Sequence, residues 1–255
     1  MSKNKRRLLK IYGERNSNTN HLSVLLRKNC GRVLLPGTAP SYLQWDGTLE
    51  PVSEVLRDSF FFLNNARNLG WKHKLPPPTS SFHRFEARFN CELTVITLSK
   101  NPYAWLLSLY RKPYHLKVKS HQTFEEFLSQ AYTPMRREGL KTNFVSIPEL
   151  WNIKNRGYSE MAFSRSINIT SEDILRDQKS VVSRICALSK IPLKSAQITE
   201  HLVSTNDASK DTASYRDYYL NEHWKKQISS DAAQLINKQL DLHLLEKLGY
   251  EIYEP

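Results

Sequence analysis

Short apolar runs alternate along this chain with longer segments in which apolar residues recur at helical spacing. Leu8–Tyr12 and Leu93–Leu98 are compact apolar runs, and the second, LTVITL, is rich in the β-branched residues that favour strands. Residues 165–170, RSINIT, indicate a third strand. The segments with helical spacing are Asn20–Asn29, Glu50–Asn65, Pro102–Tyr110, Phe124–Tyr132, Glu172–Leu188 and Asp217–Leu248. Strands that alternate with helices in this way predict an α/β protein with a parallel sheet.

Individual residues mark where several of these elements begin and end. Pro102 opens a helix, because proline is favoured at the first helical position. Ser171 is the predicted N-cap of the helix over 172–188, and Gly249 is the predicted C-terminal stop of the last helix. Leu75–Phe82 and Arg111–His121 are predicted to be surface loops. Loops at the carboxyl ends of parallel strands are where α/β folds bind ligands.

Length and composition favour one soluble folding unit. The chain has 255 residues, 40% apolar and 24% charged, so we predict a single domain over residues 1–255. No apolar run approaches the length that crosses a bilayer, and the basic segment Met1–Arg7 has no apolar stretch behind it. We therefore expect a cytoplasmic protein. Cys30, Cys91 and Cys186 lack the close spacing of a zinc site or redox pair and are expected to be buried free thiols.

The net charge of +12 indicates an anionic partner. Nucleic acid, an acidic glycan, a lipid head group and a phosphate-rich cofactor all satisfy it. The basic residues are spread along the chain rather than clustered with aromatic residues, which counts against nucleic acid.

A polar turn joins the first strand to the first helix. Gly13–Asn20 reads GERNSNTN, and a tight turn at a helix N-terminus directs unpaired backbone N–H groups and the positive end of the helix dipole at one point. Arg15 adds a cation there, and Ser17 and Thr19 add hydroxyl donors. The turn therefore indicates a phosphate site, although it lacks the Gly-Lys-Ser/Thr of a Walker A motif. An ordinary capped turn between a strand and a helix is the alternative.

A second polar group follows the strand Leu93–Leu98. Lys100 stands at the end of this strand, and Ser108 follows eight residues later on the helix that Pro102 opens. A cation at a strand end and a hydroxyl two turns along the next helix can converge on one phosphate. Taken alone, Ser108 also fits a surface or packed helix serine.

Together, these two segments resemble the two cofactor motifs of the sulfotransferases that use 3′-phosphoadenosine 5′-phosphosulfate (PAPS). The resemblance implies a P-loop-like three-layer fold with a central, mostly parallel sheet flanked by helices. It implies that Lys100 and Ser108 hold the 3′-phosphate of PAPS and that the turn holds the 5′-phosphosulfate. The turn residues so assigned are Arg15, Asn16, Ser17, Asn18, Thr19 and Asn20.

Further segments recur in the order of this family. Gly70–Pro76, GWKHKLP, resembles the segment with the family's catalytic histidine, so the resemblance implies that His73 takes the proton of the acceptor hydroxyl. Glu14, beside the turn, is the rival base, and Arg15 would offset charge that develops during transfer. Ile169–Asp177 resembles the family's acidic strand–helix junction.

The C-terminal part resembles bacterial and phage members in Tyr215–Tyr219 and Leu248–Tyr250. The glycine-rich loop by which many animal members bind adenine and the 3′-phosphate is not visible in the sequence. Arg216 and Trp224 are the nearest candidates for its role.

Three positions depart from the family pattern. Asn18 stands where a glycine is usual, and asparagine tolerates left-handed backbone better than most residues. Asn16 stands where the loop lysine is usual, with Arg15 beside it. Lys100 replaces an arginine and so gives up bidentate binding of phosphate.

The predicted activity is sulfuryl transfer from PAPS to an acceptor hydroxyl, without a metal. The basic surface and the bacterial and phage resemblance favour a carbohydrate acceptor, and the loop with Lys112, His115, Lys117 and Lys119 could cover an anionic one. A charged, solvated loop is the alternative there. A P-loop small-molecule kinase is one alternative, but the Gly-Lys-Ser/Thr and the magnesium-binding carboxylate of such a kinase are not found in the sequence. A basic nucleic-acid-binding protein is the second alternative.

Overall fold

The computed structural model describes residues 5–31, 33–43, 45, 49–114, 122–140, 145–203 and 212–255. The strands are β1 (Arg6–Gly13), β2 (Cys91–Ser99), β3 (Ala131–Tyr132), β4 (Val145–Ser146) and β5 (Ser166–Thr170). The helices are α1 (Thr19–Cys30), α2 (Glu50–Asn68), α3 (Thr79–Phe89), α4 (Pro102–Arg111), α5 (Phe124–Leu128), α6 (Ile147–Ser159), α7 (Ser171–Arg176), α8 (Gln178–Ser189), α9 (Thr212–Leu220), α10 (Ser230–Asn237) and α11 (Leu242–Lys247).

A three-stranded parallel sheet in the order β1-β2-β5 lies at the centre. Leu8 pairs with Leu93 across β1 and β2, and Leu98 pairs with Ile169 across β2 and β5. Strand β2 is buried along almost its whole length because it has a neighbour on each side and helices on both faces. Its β-branched, apolar sequence is the kind that such a position requires.

The two faces of the sheet are covered by different helices, as the alternation of side chains along a strand requires. Leu9 and Ile11 pack with apolar residues of α1 and α8 on one face. Leu8 and Tyr12 pack with apolar residues of α3 and the end of α6 on the other. Helices on both faces of a parallel sheet make three layers, so the predicted α/β fold class is confirmed. A further apolar cluster forms where α4, α5, α6, α10 and α11 meet.

The predicted strands and several predicted boundaries are confirmed. Pro102 is the first residue of α4, and Gly249, with φ 74°, follows the end of α11. The N-cap of α7 is Thr170 rather than Ser171, because the Thr170 hydroxyl accepts the Asp173 amide at 3.0 Å.

Two long helical predictions are wrong because polar side chains interrupt them. Asp177 ends α7 and caps α8 by accepting the Ser180 amide at 2.9 Å, so residues 172–188 form two helices. The pattern over Asp217–Leu248 contains the end of α9, a 3₁₀ turn, α10 and α11. Ser229 and Asp241 accept first-turn amides and start the last two anew.

Other predictions fail where the short-range pattern and the tertiary structure differ. Within Leu75–Phe82, α3 begins at Thr79, directly after the three prolines, and buries Phe82 against the sheet. Helix α6 is not predicted, because buried polar residues such as Lys154 break its apolar periodicity. The helix predicted over Phe124–Tyr132 ends at Leu128, and β3 follows it.

The described cysteines are free thiols. Cys30 and Cys91 are buried and Cys186 is half-buried, and the sulfur atoms of Cys30 and Cys186 lie 3.4 Å apart. Sequence spacing does not reveal this contact. Among the described residues, none of the helices combines the length and apolar character that a membrane crossing needs.

Candidate functional site

The β1–α1 loop, Glu14–Asn18, lies at the carboxyl edge of the sheet. Asn16 and Asn18 both adopt left-handed backbone, with φ of 62° and 65°. Ser17 closes the turn, since its amide and hydroxyl both donate to the Glu14 carbonyl, at 3.3 and 2.5 Å. Gly13 has to be glycine here, because a Cβ would lie 2.8 Å from Leu98 Cβ.

Helix α1 starts without a side-chain cap. Asn18 occupies the N-cap position, but its amide group donates to the Ser171 hydroxyl at 2.7 Å instead. The first-turn N–H groups of α1 and its dipole therefore remain for another acceptor, which is the usual basis of an anion site.

One cavity of about 270 Å³, the loop cavity, opens beside this helix end. Its cationic side chains are Arg15, Arg57, Lys72 and Arg137, and His73 also lines it. None of the described residues that line it is acidic. The remaining lining residues are Asn16, Asn18, Thr19, Asn20, Thr38, Ala39, Phe61, Trp71 and Tyr114. Such a lining favours an anion.

Arg15 is held rigidly at the wall of the loop cavity. Its guanidinium lies 4.7 Å from the centre of the Trp71 ring and 3.9 Å from a carboxylate oxygen of Glu138. Burial alone would lower the pKa of Arg15, but Glu138 and its neighbours raise it, so the cation is permanent. The Trp105 indole fixes the backbone by donating to the Arg15 carbonyl at 2.8 Å.

His73 lines the loop cavity and binds the backbone through one ring nitrogen. Nδ1 lies 2.6 Å from the Gly13 carbonyl, so Nδ1 must carry the proton and donate it. Burial, then Lys72 and Arg15, hold the pKa of His73 well below its usual range. The neutral ring therefore has its lone pair on Nε2, as a general base requires.

Lys72 is a cation of the loop cavity that the family pattern does not point to. Its ammonium donates to the side-chain oxygen of Asn20, at the start of α1. Burial, with help from Arg27, lowers the pKa of Lys72 to about 8. An anion in the cavity would reverse that shift, because it would favour the charged amine.

Glu14 does not line the loop cavity. Its carboxylate accepts from the fully buried ammonium of Lys154 at 2.8 Å, and that ammonium also lies 3.1 Å from Glu138 and donates to the His73 carbonyl at 2.6 Å. Although burial opposes ionisation, Lys154 and Arg15 lower the pKa of Glu138 to about 2. Lys154 thus ties the loop, the His73 segment and the turn at Glu138 together, with Glu14 as its partner in the loop.

A second buried lysine, Lys10, bonds the backbone at the start of the His73 segment. Lys10 in β1 donates to the carbonyls of Pro36, Asn68 and Gly70, at 2.9, 2.7 and 2.5 Å. Gly70 is three residues before His73, so this amine anchors the start of the segment.

Lys100 and Ser108 lie together, as their spacing suggests. The Lys100 ammonium donates to the Ser108 hydroxyl at 3.0 Å and to the Asn16 carbonyl at 3.2 Å. It also lies 4.0 Å from the centre of the Tyr219 ring. Burial would raise the pKa of Tyr219, but Lys100 lowers it.

These residues line a second cavity of about 370 Å³, the tyrosine cavity. Its cationic side chains are Lys100, Arg111 and Lys112, and its aromatic side chains are Tyr215, Tyr218 and Tyr219. The other lining residues are Asn16, Asn18, Ser108 and Ser214. Asn16 and Asn18 line both cavities, so the β1–α1 loop stands between them.

Asn16 holds this loop against α4. Its amide group lies within hydrogen-bond distance of the carbonyls of Ser108 and Lys112, at 3.3 and 3.4 Å. The residue at the usual lysine position is thus engaged with α4 in this structure.

Arg216 and Trp224 are not brought to the tyrosine cavity. The Arg216 guanidinium donates to the Arg176 carbonyl at 3.1 Å, on the surface beside α7. Trp224 is buried and stacks on Tyr103 with ring centres 5.7 Å apart. The assignment of Trp224 to ligand binding is wrong, since it is a core residue, and Arg111 and Lys112 stand where Arg216 was expected.

Glu172 connects the two segments that resemble the family near residues 169–177 and 248–250. Its carboxylate accepts the Asn101 amide at 3.2 Å and the Tyr250 hydroxyl at 2.9 Å. Burial raises its pKa. This bonding braces the strand end that presents Lys100. Of the basic loop after α4, residues 115–121, with His115, Lys117 and Lys119, lie outside the described residues.

Sequence reasoning misses the cations that reach the loop cavity from distant segments. Arg57 comes from α2, and Arg137 from the turn before β4, where Asp58 holds it at 2.7 Å. No local motif surrounds either residue. Within the described chain, no group of three or more His, Cys, Asp or Glu side chains is placed to hold a metal ion.

Comparison with known proteins gives similarity at the level of whole structures. No protein-family model matches this chain, and no curated protein sequence matches it. It is similar to the sulfotransferase domain from the curacin biosynthetic pathway, with 14% identity and a TM-score of 0.43, over 97% of this chain and 99% of that one. It is also similar to the sulfotransferase domain from the Synechococcus PCC 7002 olefin synthase, with 16% identity and a TM-score of 0.46, over 94% of this chain and 97% of that one. A sulfotransferase from Alicyclobacillus acidocaldarius is similar with 14% identity and a TM-score of 0.44, over 92% of this chain and 97% of that one.

Proposed function

We propose that this protein transfers a sulfuryl group from PAPS to an acceptor hydroxyl. The observation that carries the proposal is the pair of cationic cavities on either side of the β1–α1 loop, which share Asn16 and Asn18. PAPS carries a phosphosulfate on the 5′ oxygen and a phosphate on the 3′ oxygen of its ribose. The loop cavity would receive the 5′-phosphosulfate, and the tyrosine cavity the 3′-phosphate.

The charges fit both ends of such a donor. Arg15 and Lys72, with the free amides of α1, match the phosphosulfate, and Lys100 with Ser108 matches the 3′-phosphate. Tyr218 and Tyr219 offer aromatic faces beside that phosphate for the adenine ring.

Transfer requires a base and a place for developing charge. His73 Nε2 would accept the proton of the acceptor hydroxyl as the acceptor oxygen bonds to sulfur. The bond from sulfur to the bridging oxygen breaks at the same time, and Arg15 with the loop amides would stabilise the charge left on that oxygen. The products are the sulfated acceptor and adenosine 3′,5′-bisphosphate, and no metal enters the step.

The kinase alternative fits the lining less well. A kinase site needs carboxylates to hold magnesium. None of the described residues that line either cavity is acidic.

Adenosine 3′,5′-bisphosphate is expected to raise the melting temperature far more than adenosine 5′-monophosphate. At a concentration of about 100 times its Kd, a ligand stabilises by about 2.7 kcal/mol, which corresponds to roughly 5–10 °C in a chain of this size. A thermal-shift assay with both nucleotides, ATP–Mg and a DNA oligomer measures this. Equal shifts in melting temperature from the mono- and bisphosphate would contradict the proposed 3′-phosphate site. A larger shift from ATP–Mg would favour the kinase.

Lys100→Ala is expected to weaken binding of the bisphosphate by roughly 10- to 100-fold, because one charge-assisted contact is worth about 1.5–3 kcal/mol. Lys100→Arg should keep or improve the affinity, since arginine can bond two phosphate oxygens. Calorimetric titration of these variants measures it, with Lys179→Ala, an exposed lysine on α8, as the control. Loss of affinity for the monophosphate as well would make Lys100 a general structural cation.

A further inference from the structure

A larger cavity of about 740 Å³, the α2 cavity, adjoins the loop cavity. Helix α2 lines it with Val55, Phe62 and Leu63, and Lys74 and Arg136 line it from the His73 segment and the turn before β4. Its volume is within the range of small-molecule sites.

The α2 cavity shares three lining residues with the loop cavity, namely Phe61, Trp71 and Arg137. Trp71 meets His73 edge to face, with ring centres 5.0 Å apart. A molecule in the α2 cavity is therefore about one ring away from the imidazole that would accept the acceptor proton.

The α2 wall of this cavity contains the polar residues Asp58, Ser59 and Asn65 and a group of exposed apolar residues. Val55 is 65% exposed, Phe62 82% and Leu63 75%. All three belong to α2, and Val55 is two turns before the other two. Single exposed apolar residues are ordinary, but a group of them around a cavity is typical of a surface that binds an apolar ligand.

The opposite wall carries cations that differ in their pairing. The Arg137 guanidinium is bound by the carboxylates of Asp58 and Glu54. The Lys74 ammonium instead meets the neutral side-chain oxygen of Asn65 at 3.2 Å, and Arg136 is exposed at the rim. Burial lowers the pKa of Lys74, and an anion beside the amine would favour its charged form. One side of the cavity thus suits an apolar body, and the other suits a negative charge.

We infer that the acceptor is an apolar hydroxy acid, with its aryl or alkyl body against α2, its anionic group at Lys74 and Arg136, and its hydroxyl directed past Trp71 to His73. This inference rests on the proposed function. It replaces the carbohydrate acceptor that the charge favours, because a sugar would place several hydroxyl groups against Val55, Phe62 and Leu63. The polar α2 side chains of the lining are already bonded within the protein: Asp58 to Arg137, Ser59 to the Val55 carbonyl and Asn65 to Lys74.

The test uses a panel of hydroxyaryl and hydroxyalkyl carboxylates, beginning with 3-(4-hydroxyphenyl)propanoate, each paired with its methyl ester, and methyl glucoside as the carbohydrate. Binding is measured by calorimetry on the protein saturated with adenosine 3′,5′-bisphosphate, and initial rates are measured with PAPS. We expect the best acid to bind about 10-fold more tightly than its ester, since the ester lacks the charge. Methyl glucoside should bind more weakly than either.

Two variants separate the charged and apolar contributions. Lys74→Gln should reduce the preference for acid over ester to about twofold or less and leave the ester unchanged, while Lys179→Gln should change neither. Leu63→Ser should weaken acid and ester alike by several fold, as loss of an apolar contact does. Leu202→Ser, which alters a leucine that is also 60% exposed, should have no effect.

The outcomes distinguish this inference from the proposed function. If the bisphosphate does not bind, the proposed function itself fails. If it binds but acids and esters are equivalent across the panel, or methyl glucoside binds best, the acceptor inference is overturned and the donor site stands. The acceptor inference is overturned in the same way if Lys74→Gln leaves the preference for acids intact.

Discussion

His73→Asn is expected to lower turnover by about 10²–10⁴-fold, the usual contribution of a general base, and to leave the affinity for adenosine 3′,5′-bisphosphate nearly unchanged. Asparagine can still donate to the Gly13 carbonyl, as His73 Nδ1 does at 2.6 Å, but it has no basic Nε2. The loop should therefore stay in place while proton transfer is lost. Steady-state kinetics and calorimetry on the same preparation measure the two effects.

Two comparisons sharpen this result. His73→Ala removes the bond to Gly13 as well, so any extra loss beyond that of His73→Asn reports the structural part. The wild-type rate should fall on the acid side only below pH 6.5, because the pKa of His73 is held below its usual value and protonation removes the base. If His73→Asn keeps most of its activity, Glu14 regains its standing as the base.

Lys154→Met is expected to reduce the free energy of unfolding by about 3–5 kcal/mol, because it leaves Glu14 and Glu138 buried without their shared cation. In a chain of this size that corresponds to a fall of roughly 6–20 °C in melting temperature. Turnover should fall too, since the ammonium also holds the His73 carbonyl. Urea unfolding and calorimetry measure the change in stability.

A second substitution tests whether the loss is electrostatic. Adding Glu14→Gln to Lys154→Met removes the carboxylate that has lost its ion-pair partner, while Glu138 keeps Arg15 at 3.9 Å, so the double variant should be more stable than the single one. Arg156→Met, two residues along α6, alters a half-exposed cation paired with Asp241 and should cost less than about 1 kcal/mol. Equal losses from Lys154→Met and Arg156→Met would refute the idea that Lys154 is a junction.

Local signals in the sequence predict the sheet and the residues that meet around the β1–α1 loop. The apolar runs of β1 and β2 are buried strands whatever else the chain does, and the polar turn between β1 and α1 follows directly. Lys100 and Ser108 meet because the helix starts directly after the strand, so its second turn lies close to the strand end. Asn18 tolerates the left-handed backbone that its place in the loop requires.

The rest depends on packing between distant segments. Arg57 and Arg137 have no motif around them and reach the loop cavity only through the placement of α2 and the turn before β4. Lys154 is part of a helix that the apolar pattern does not reveal, because its buried side is partly polar. Arg216 has a plausible place in the sequence, but α9 turns it towards Arg176.

The junction at Lys154 also bears on the rate at which this site can form. Its ammonium contacts residues that are 140 and 81 positions away along the chain, at Glu14 and His73. The parallel pairing of β1 with β2 likewise closes a long loop, since Leu8 must find Leu93. Such non-local contacts incur their entropy of closure before they return any stability, which makes them slow to form. The nucleotide site that we propose is therefore expected to form late in folding, after the helices, which have local contacts.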